Sequence, residues 1–171
     1  MPGIKIDVVI VCGGPAGLSA ALMLGRCHRQ VLLCDDNQPR NRASKAIHGL
    51  LGGEGLPPSA FLDEARQDLS RYKSLSSRAT RVTDVLPVQD GFTFECADGT
   101  RGVASKLLLA TGIVDELPEI AGIEALYGVS VHHCLYRDGF EYAGKPVAAL
   151  GEGDKGADLA VMMKHWIALL V

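Results

Sequence analysis

The sequence lacks a long hydrophobic run, a dense cluster of basic residues and a regular spacing of cysteines. No apolar stretch approaches the roughly 20 residues that a membrane-spanning helix needs. Lysine and arginine total 17 against 20 acidic residues, which gives a formal net charge of -3. Without a basic patch, nucleic acid and anionic membranes are poor candidates as partners. We therefore expect neither nucleic acid nor a membrane among its partners.

The five cysteines are odd in number and scattered along the chain. Small secreted proteins stapled by disulfides carry even numbers of cysteines at compact spacings. This set instead predicts free thiols and a cytoplasmic protein. The N-terminal residues lead directly into a strand pattern, so we also expect no signal peptide. Hydrophobic residues make up 47% and charged residues 22% of the chain, a composition typical of globular domains.

What the sequence does contain is a strand, a glycine-rich turn, a helix and a second strand in close succession. Asp7–Val11 is an almost wholly apolar run, as expected for a parallel strand covered on both faces. Pro15–Cys27 has apolar residues at helical spacing, and Pro15 suits a first helical turn. Val31–Cys34 is a second short apolar run. The order predicts a βαβ unit.

The first turn reads Cys12-Gly13-Gly14-Pro15-Ala16-Gly17. Compared with the G-x-G-x-x-G motif, Gly14 and Gly17 fill the second and third positions, and Cys12 replaces the first glycine. Gly14 allows backbone to approach a pyrophosphate, and Gly17 allows close packing of the helix on the strand. Asp35 follows Gly17 by 18 residues (35 − 17). This spacing is close to the about 20 residues expected for the acid that binds ribose. We expect a dinucleotide site with a strained turn at Cys12; the alternative is a coincidental glycine turn in another α/β protein.

The rest of the chain alternates between helix and strand patterns. We predict a helix over Ser59–Tyr72 with Ser59 as N-cap, short strands over Ser77–Leu109 with hairpin turns at Asp90-Gly91 and Asp98-Gly99, and a buried strand at Leu107–Ala110. A further buried strand is predicted at Pro146–Leu150. It leads into a second glycine-rich turn, Gly151-Glu-Gly-Asp-Lys-Gly156, and a helix that continues to the C-terminus.

In this order, the segments resemble the N-terminal part of thioredoxin-reductase-like oxidoreductases. The resemblance rests on Asp7–Leu22, Pro39–Ser44, His48-Gly49 with Glu54–Pro57, Leu109–Gly112, and Tyr127-Gly128 with Ser130–Cys134. It implies an α/β fold: a Rossmann-like FAD-binding domain with a small β insertion in residues 1–125, followed by the first βα of an NAD(P)H-binding domain in residues 126–171. Both domains are expected to be incomplete, because the family's closing FAD segment and its second nicotinamide-site strand are not found.

The resemblance implies FAD and NAD(P)H as cofactors. For Arg40, Asn41 and His48, the alternatives are a solvated arginine, a capping asparagine and a surface histidine. Val82 is expected to meet the adenine through its backbone. The residues expected to contact FAD are Gly13, Gly14, Pro15, Ala16, Gly17, Asp35, Arg40, Asn41, His48, Val82, Ala110, Thr111 and Gly112, and those expected at the nicotinamide site are Gly151, Gly153 and Gly156.

Cys134 is the candidate catalytic residue that the resemblance implies. The family carries a C-x-x-C dithiol here, which takes electrons from reduced flavin and passes them to a partner disulfide. In this chain Arg137 occupies the second cysteine position, and a lone thiol forms no disulfide within the motif. The neighbouring His132-His133-Cys134 invites a metal interpretation. Consecutive residues of an extended chain face opposite ways, and no second ligand pair follows at zinc spacing, so we predict no metal site.

The function implied by the resemblance is an FAD-dependent, NAD(P)H-linked oxidoreductase of the thioredoxin-reductase type that lacks the redox dithiol. Two alternatives stay open: a non-catalytic flavin-binding remnant or partner subunit, and a flavin enzyme whose acceptor is not a disulfide. The predicted C-terminal helix ends in apolar side chains, which indicates self-association, a partner chain or a truncated core. These residues are Trp166, Ile167, Leu169, Leu170 and Val171. The alternative to self-association is a poorly ordered segment beyond about Gly144.

Overall fold

The computed structural model describes residues 4–166 and 169–170. It divides into two compact units. The first contains the chain up to Arg42 together with Ser59–Glu116, and the second contains Ala43–Pro58 and the chain from Leu117 onward. In the described part of the chain, no helix is both long and apolar enough to cross a membrane.

A six-stranded sheet in the order β3-β2-β1-β6-β5-β4 forms the first unit. The strands β1, β2, β3 and β6 run parallel, whereas β4, β5 and β6 form an antiparallel ribbon. The elements are β1 (Ile4–Val11), α1 (Pro15–Arg26), β2 (Val31–Cys34), α2 (Pro58–Leu69), β3 (Leu75–Arg78), β4 (Val82–Val88), β5 (Gly91–Cys96) and β6 (Arg101–Leu109). The sheet therefore has the Rossmann-like α/β organisation that the sequence predicts.

Apolar side chains cover both faces of this sheet. Val9 and Ile10 of β1 are completely buried and belong to opposite core clusters, which explains why β1 is a nearly continuous apolar run. Leu18 and Ala21 of α1 and Leu62 of α2 belong to the same cluster as Ile10. The two helices thus bury their apolar stripes on one face. The antiparallel strand β5 contributes Phe94 and Cys96 to the other cluster.

Several boundaries in the first unit differ from the sequence-based prediction, among them the end of α2 at Leu69 instead of Tyr72 and the start of β3 at Leu75 instead of Ser77. Helix α2 begins at Pro58, so Ser59 lies inside the first turn instead of capping it. Proline is favoured at the first helical position because an N–H at that position would have no acceptor within the helix, so its absence costs nothing. The predicted buried strand Leu107–Ala110 is the end of the longer strand β6, and Leu109 is 66% exposed.

All five cysteines are free thiols, as the scattered set predicts. Cys34 and Cys96 face each other in the core with their sulfur atoms 3.8 Å apart. Burial is the main cause that raises the pKa of Cys34, to about 12, and the neighbouring Cys96 thiol adds to it. Both residues act as small apolar side chains at neutral pH.

The second unit consists of short elements joined by turns. They are α3 (Ile123–Leu126), α4 (Leu135–Asp138), β7 (Pro146–Val147), α5 (Gly153–Met163) and β8 (Leu169–Leu170), with a 3-10 turn at Phe140–Tyr142. A further 3-10 turn, Arg40–Ala43, lies where the first unit's opening segment ends. Met163 and Ile123 are buried within it. The aromatic ring of Trp166 packs edge-on against Tyr136 of α4 at 5.3 Å between centroids.

The C-terminal predictions were wrong in two respects. The predicted buried strand Pro146–Leu150 is reduced to two paired residues, and Leu150 is 61% exposed. Among the described residues β7 pairs only with β8, so it is not enclosed by neighbours as a central parallel strand would be. Helix α5 ends at Met163 instead of continuing, because Leu169 and Leu170 supply the strand that pairs with β7. The predictions for Ile167 and Val171 lie outside the described residues, as do those for the side chains of Leu169 and Leu170.

Truncation of Leu62 tests the packing of α2 on the sheet. Leu62→Ala removes a side chain that is 3% exposed, so we expect the free energy of unfolding in urea to fall by about 2–5 kcal/mol. Met23→Ala on α1, where the side chain is 59% exposed, is the matched control and should change stability by less than about 0.5 kcal/mol. Equal effects of the two substitutions would contradict this packing.

Candidate dinucleotide-binding site

The first glycine-rich turn lies at the carboxyl edge of the parallel strands. It leaves β1, which is flanked by β2 on one side and β6 on the other. The backbone N–H of Cys12 donates to the carbonyl of Cys34 at 2.8 Å, and that of Ala110 donates to the carbonyl of Val11 at 2.9 Å. The chain leaves β1 through α1 to β2 on one side, whereas β6 on the other side follows β5, so the strand order reverses at β1. In open α/β sheets ligands bind in the crevice outside such a switch point.

Two glycines of this turn are required by close contacts. A side chain at position 17 would overlap the carbonyl oxygen of Cys12, so Gly17 permits α1 to pack directly on the end of β1. A Cβ at position 13 would lie 2.7 Å from Oδ2 of Asp35. Gly13 therefore lets the acidic residue at the end of β2 reach the turn. The role predicted for Gly17 agrees with this geometry, whereas the contact at Gly13 has no signal in the motif.

Gly14 faces open space at the start of α1. A Cβ at this position would meet nothing within 4 Å. Gly14 is the N-cap of α1, and no side chain caps the helix start, which continues with Pro15 and Ala16. Uncapped N–H groups and the positive end of the helix dipole form a site for a phosphate group. The open space and the uncapped helix start thus fit the pyrophosphate of a dinucleotide.

Cys12 adopts a backbone conformation that favours glycine. Its φ angle is +77°, in the left-handed region, where a Cβ costs about 1–2 kcal/mol. The strain that the sequence predicts at this position is therefore present. Partial burial, followed by the negative charges of Asp36 and Asp35, raises the pKa of the Cys12 thiol. The thiol stays protonated at neutral pH and adds no negative charge near the candidate phosphate site.

Asp35 lies at the end of β2 and is held by an arginine of α2. Nη2 of Arg66 is 3.2 Å from Oδ2 of Asp35 and 2.9 Å from Oδ1 of Asn37. Nη1 of the same guanidinium donates to Asp63 at 3.0 Å. A cavity of about 410 Å³ is lined by Asp35, Asn37 and Arg66 together with residues of α1, α2, β2 and β3. The arginine offsets the charge of the carboxylate and fixes its orientation.

The other residues of the first unit predicted to contact FAD lie in different settings. Arg40 forms a bidentate pair with Asp115, with distances of 2.8 Å and 2.5 Å. Ala110, Thr111 and Gly112 follow directly after β6, and Gly112 has a φ of +64°. Val82 begins β4 and pairs with Cys96, and Asn41 lies in a single 3-10 turn. Within this set, Ala110 lies beside the first glycine-rich turn, next to Gly17 and the end of β1.

The second unit contains the second glycine-rich turn. The backbones of Gly151 and Gly156 are so close that a side chain on either would collide with the other. Helix α5 begins at Gly153, which has a φ of +57°, and no side chain caps its start. The turn thus leads into a helix N-terminus, as the motif predicts, but β7 ends at Val147, so the helix does not follow a strand directly.

His48 and Cys134, two further predicted site residues, also belong to the second unit. Nδ1 of His48 lies 2.8 Å from Oε1 of Glu54, and the other oxygen of Glu54 accepts from the N–H of Gly49 at 2.7 Å. These two hydrogen bonds, that of His48 first, lower the pKa of Glu54. Cys134 is the N-cap of α4, and Arg137 lies within that helix.

Around Cys134 the unit has a polar network that sequence reasoning does not identify. Nε2 of His132 lies 3.0 Å from the hydroxyl of Tyr142, which donates to the carbonyl of Val129. Nδ1 of His132 lies 3.4 Å from Asp138. His133 hydrogen-bonds and stacks with Tyr127. Each histidine is thus held by a tyrosine.

Sequence reasoning missed three charged residues that contact predicted site residues. Arg66 contacts Asp35, Asp115 contacts Arg40, and Glu141 lies 3.4 Å from His48. Each partner is distant along the chain and sits on an element with no motif of its own. No local signal in the sequence marks them, because the pairing depends on how helices and loops pack.

The sheet order and the glycine turn at its switch point define a dinucleotide-binding α/β protein. Residues 6–167 match the family described as pyridine nucleotide-disulphide oxidoreductase. The chain belongs to this family, which implies FAD and NAD(P)H as its cofactors.

Relatives agree with this assignment over the matched region. The chain is 37% identical over 156 residues to a probable thioredoxin reductase of Arthroderma benhamiae, a match that covers 88% of this chain and 39% of the relative. It is 35% identical to thioredoxin reductase tcpT of Claviceps purpurea over 88% of this chain and 48% of that protein. The chain thus spans about half the length of the curated relatives it matches, or less.

Solved structures give the same result. The crystal structure of an oxidoreductase from Agrobacterium tumefaciens matches with a TM-score of 0.93 and 38% identity, over 97% of this chain and 56% of that chain. A putative thioredoxin reductase from Bacillus anthracis matches with a TM-score of 0.92 and 30% identity, over 96% of this chain and 56% of its own length. The similarity to the thioredoxin reductase type predicted from the motifs is therefore confirmed.

Cys12→Gly tests the strain in the first turn. Glycine removes the left-handed penalty at position 12, and we expect the free energy of unfolding to rise by about 1 kcal/mol. Cys27→Gly is the matched control, because Cys27 has a negative φ of -91° and caps α1; it should lower stability by about 0.5–1 kcal/mol. Urea unfolding of both variants measures the difference, and a loss of stability in Cys12→Gly would show that the turn is not strained.

Proposed function

We propose that this chain binds FAD through the Cys12–Gly17 turn and forms part of an NAD(P)H-linked oxidoreductase of the thioredoxin-reductase type. The observation that carries the proposal is the uncapped start of α1 beside open space at Gly14, with Asp35 at the end of the adjacent strand. We further propose that residues 1–125 belong to the FAD-binding domain and that residues 126–171 begin the NAD(P)H-binding domain.

Each residue of the turn has a distinct role in this proposal. The first N–H groups of α1, from Ala16 and Gly17 onward, donate to the phosphate oxygens, since Pro15 has no N–H to offer. Gly14 leaves room for the backbone to approach the pyrophosphate. The protonated thiol of Cys12 avoids repulsion of the phosphate charge. The bound flavin would supply the transfer of electrons from nicotinamide to an acceptor.

Asp35 would accept hydrogen bonds from the ribose hydroxyls, with Arg66 as its positioning partner. Since Arg66 contacts Oδ2 of Asp35 at 3.2 Å, the carboxylate is held in one orientation before the ligand arrives. Such preorganisation lowers the cost of binding. The remaining predicted FAD contacts, Arg40, Asn41, His48, Val82, Ala110, Thr111 and Gly112, stay part of the proposal, as do Gly151, Gly153 and Gly156 for nicotinamide.

Flavin retention by the purified chain tests this proposal. We expect visible flavin absorbance to co-elute with the protein after reconstitution with FAD and gel filtration. Asp35→Ala should weaken FAD binding by about tenfold or more, since a hydrogen bond to a charged group is worth about 1.5–3 kcal/mol. Asp68→Ala is the control, because Asp68 pairs with Arg71 on the exposed side of α2. Flavin content that is equal in both variants would remove Asp35 from the site.

The proposed oxidoreductase differs from a thioredoxin reductase at the dithiol. Cys134 caps α4, and the position three residues later is Arg137. Electron transfer to a disulfide through two neighbouring thiols is therefore not available to this motif. This observation favours a second candidate, a flavin-binding partner subunit without disulfide reductase activity of its own.

The absence of dithiol chemistry gives a kinetic prediction. With NADPH, FAD and a small disulfide substrate, the unmodified chain should consume NADPH no faster than Cys134→Ser, because the lone thiol cannot complete the exchange. NADPH oxidation is followed by absorbance, with free FAD as the background. Turnover by the unmodified chain that is lost in Cys134→Ser would contradict the prediction and assign the thiol a catalytic role.

We also propose self-association, or binding of a partner chain, through the second unit, in a cytoplasmic setting that suits five free thiols. Several large apolar side chains of this unit are exposed, among them Tyr136, Phe140, Leu150 and Val161. Exposed apolar patches often mark protein interfaces. Sedimentation velocity over a range of concentrations tests this, and a monomer at all of them would rule out self-association.

A further inference from the structure

Three ligand atoms converge in the second unit, away from both glycine-rich turns in sequence. They are Nδ1 of His48 and one carboxylate oxygen each of Glu54 and Glu141, and all lie within 4.8 Å of one another. His48 and Glu54 come from one loop, whereas Glu141 comes from the 3-10 turn Phe140–Tyr142. A single packed arrangement therefore brings an imidazole and two carboxylates to one point.

The geometry leaves one proton to serve two acceptors. Nδ1 of His48 lies 2.8 Å from Oε1 of Glu54 and 3.4 Å from Oε1 of Glu141. An imidazole nitrogen carries at most one hydrogen. One ring nitrogen thus faces two carboxylate oxygens, and a single hydrogen cannot serve both of them fully. A divalent cation in place of the proton would satisfy all three atoms at once and balance two carboxylate charges.

We propose that His48, Glu54 and Glu141 form a binding site for a divalent transition-metal cation. The cluster shares His48 with the proposed FAD contacts, but the inference does not depend on FAD binding, and it departs from the sequence-based prediction of no metal. That prediction considered His132-His133-Cys134, whereas the present cluster depends on Glu141, which no local spacing relates to His48.

The surroundings of the cluster suit an open metal site. The N–H of Gly49 donates to the second oxygen of Glu54 at 2.7 Å, and hydrogen bonds of this kind orient metal ligands. The His48 side chain is 19% exposed and that of Glu141 is 36% exposed. Three protein ligands with solvent access leave coordination positions for water, as in sites that are not purely structural.

Mn²⁺ is the probe that separates this cluster from the free thiols. One nitrogen and two carboxylate oxygens suit first-row divalent cations such as Mn²⁺, Fe²⁺ and Zn²⁺, whereas thiolates favour softer ions. The chain has five free cysteines, and Zn²⁺ binding would be ambiguous for that reason. Binding of Mn²⁺ is measured on the full chain from the fall in the electron paramagnetic resonance signal of the free ion.

We expect saturable binding of one Mn²⁺ per chain. Glu141→Gln keeps the size of the side chain but removes its charge, and should weaken Mn²⁺ binding by at least about tenfold. Loss of a residue that only hydrogen-bonds a metal ligand already lowers metal affinity by about that factor. His48→Ala should do the same. Glu124→Gln is the matched control, because Glu124 lies in α3 outside the cluster, and it should bind Mn²⁺ as the unmodified chain does.

Thermal melting without metal shows whether each variant is folded. If His48→Ala or Glu141→Gln is not folded, Glu54→Gln is measured in its place. Mn²⁺ should raise the melting temperature of the unmodified chain and of Glu124→Gln but not of the cluster variants. The proposal is overturned if no saturation occurs at about millimolar Mn²⁺, the weak end of natural divalent-cation sites. It is equally overturned if binding persists in both His48→Ala and Glu141→Gln. Flavin content measured in Glu54→Gln and Glu141→Gln, whose residues are not proposed FAD contacts, keeps this result separate from the FAD proposal.

Discussion

The contact between the carbonyl oxygen of Cys12 and the backbone of Gly17 determines where the other parts of the candidate site lie. No side chain fits between them, so the first turn of α1 rests directly on the end of β1. This direct packing directs the helix N-terminus at the edge of the sheet, where Gly14 faces open space. The absence of a Cβ at Gly13 lets Asp35 approach the same turn. The two glycines, Gly13 and Gly17, therefore allow the N-terminus of α1 and the carboxylate of Asp35 to lie next to each other.

The second glycine-rich turn shows the same packing without the strain. Gly151 and Gly156 are in backbone contact, as Cys12 and Gly17 are, but both members of that pair are glycines. In the first turn the strand-side residue carries a Cβ at a φ of +77°. Strained residues persist only where the surrounding structure holds them in place. At Cys12 that support comes from the hydrogen bond to Cys34 and the contact with Gly17.

Local patterns in the sequence predict the first unit better than the second. The bounds of β2 and the start of α1 agree with the structure because buried strands and glycine turns have strong local signals. The apolar run Pro146–Leu150 gave the same signal as a central strand, yet only two of its residues pair. A run of five residues does not reveal how many neighbours a strand will find, since that depends on the rest of the sheet. The ion pairs of Asp35, Arg40 and His48 were equally inaccessible, because their partners are fixed by tertiary packing.

Strand β6 links two kinds of sheet in one element. Gly102, Val103 and Ala104 are paired with β1 on one side and with β5 on the other. The antiparallel ribbon is therefore continuous with the parallel part of the sheet, since its inner strand β6 is also the neighbour of β1. Release of β6 would have to break pairing on both sides of these three residues, so β6 joins β1 and β5 in one cooperative unit. In hydrogen exchange, the slowest amides of the chain should then lie in the middle of this sheet, with protection that decreases towards the edge strands β3 and β4.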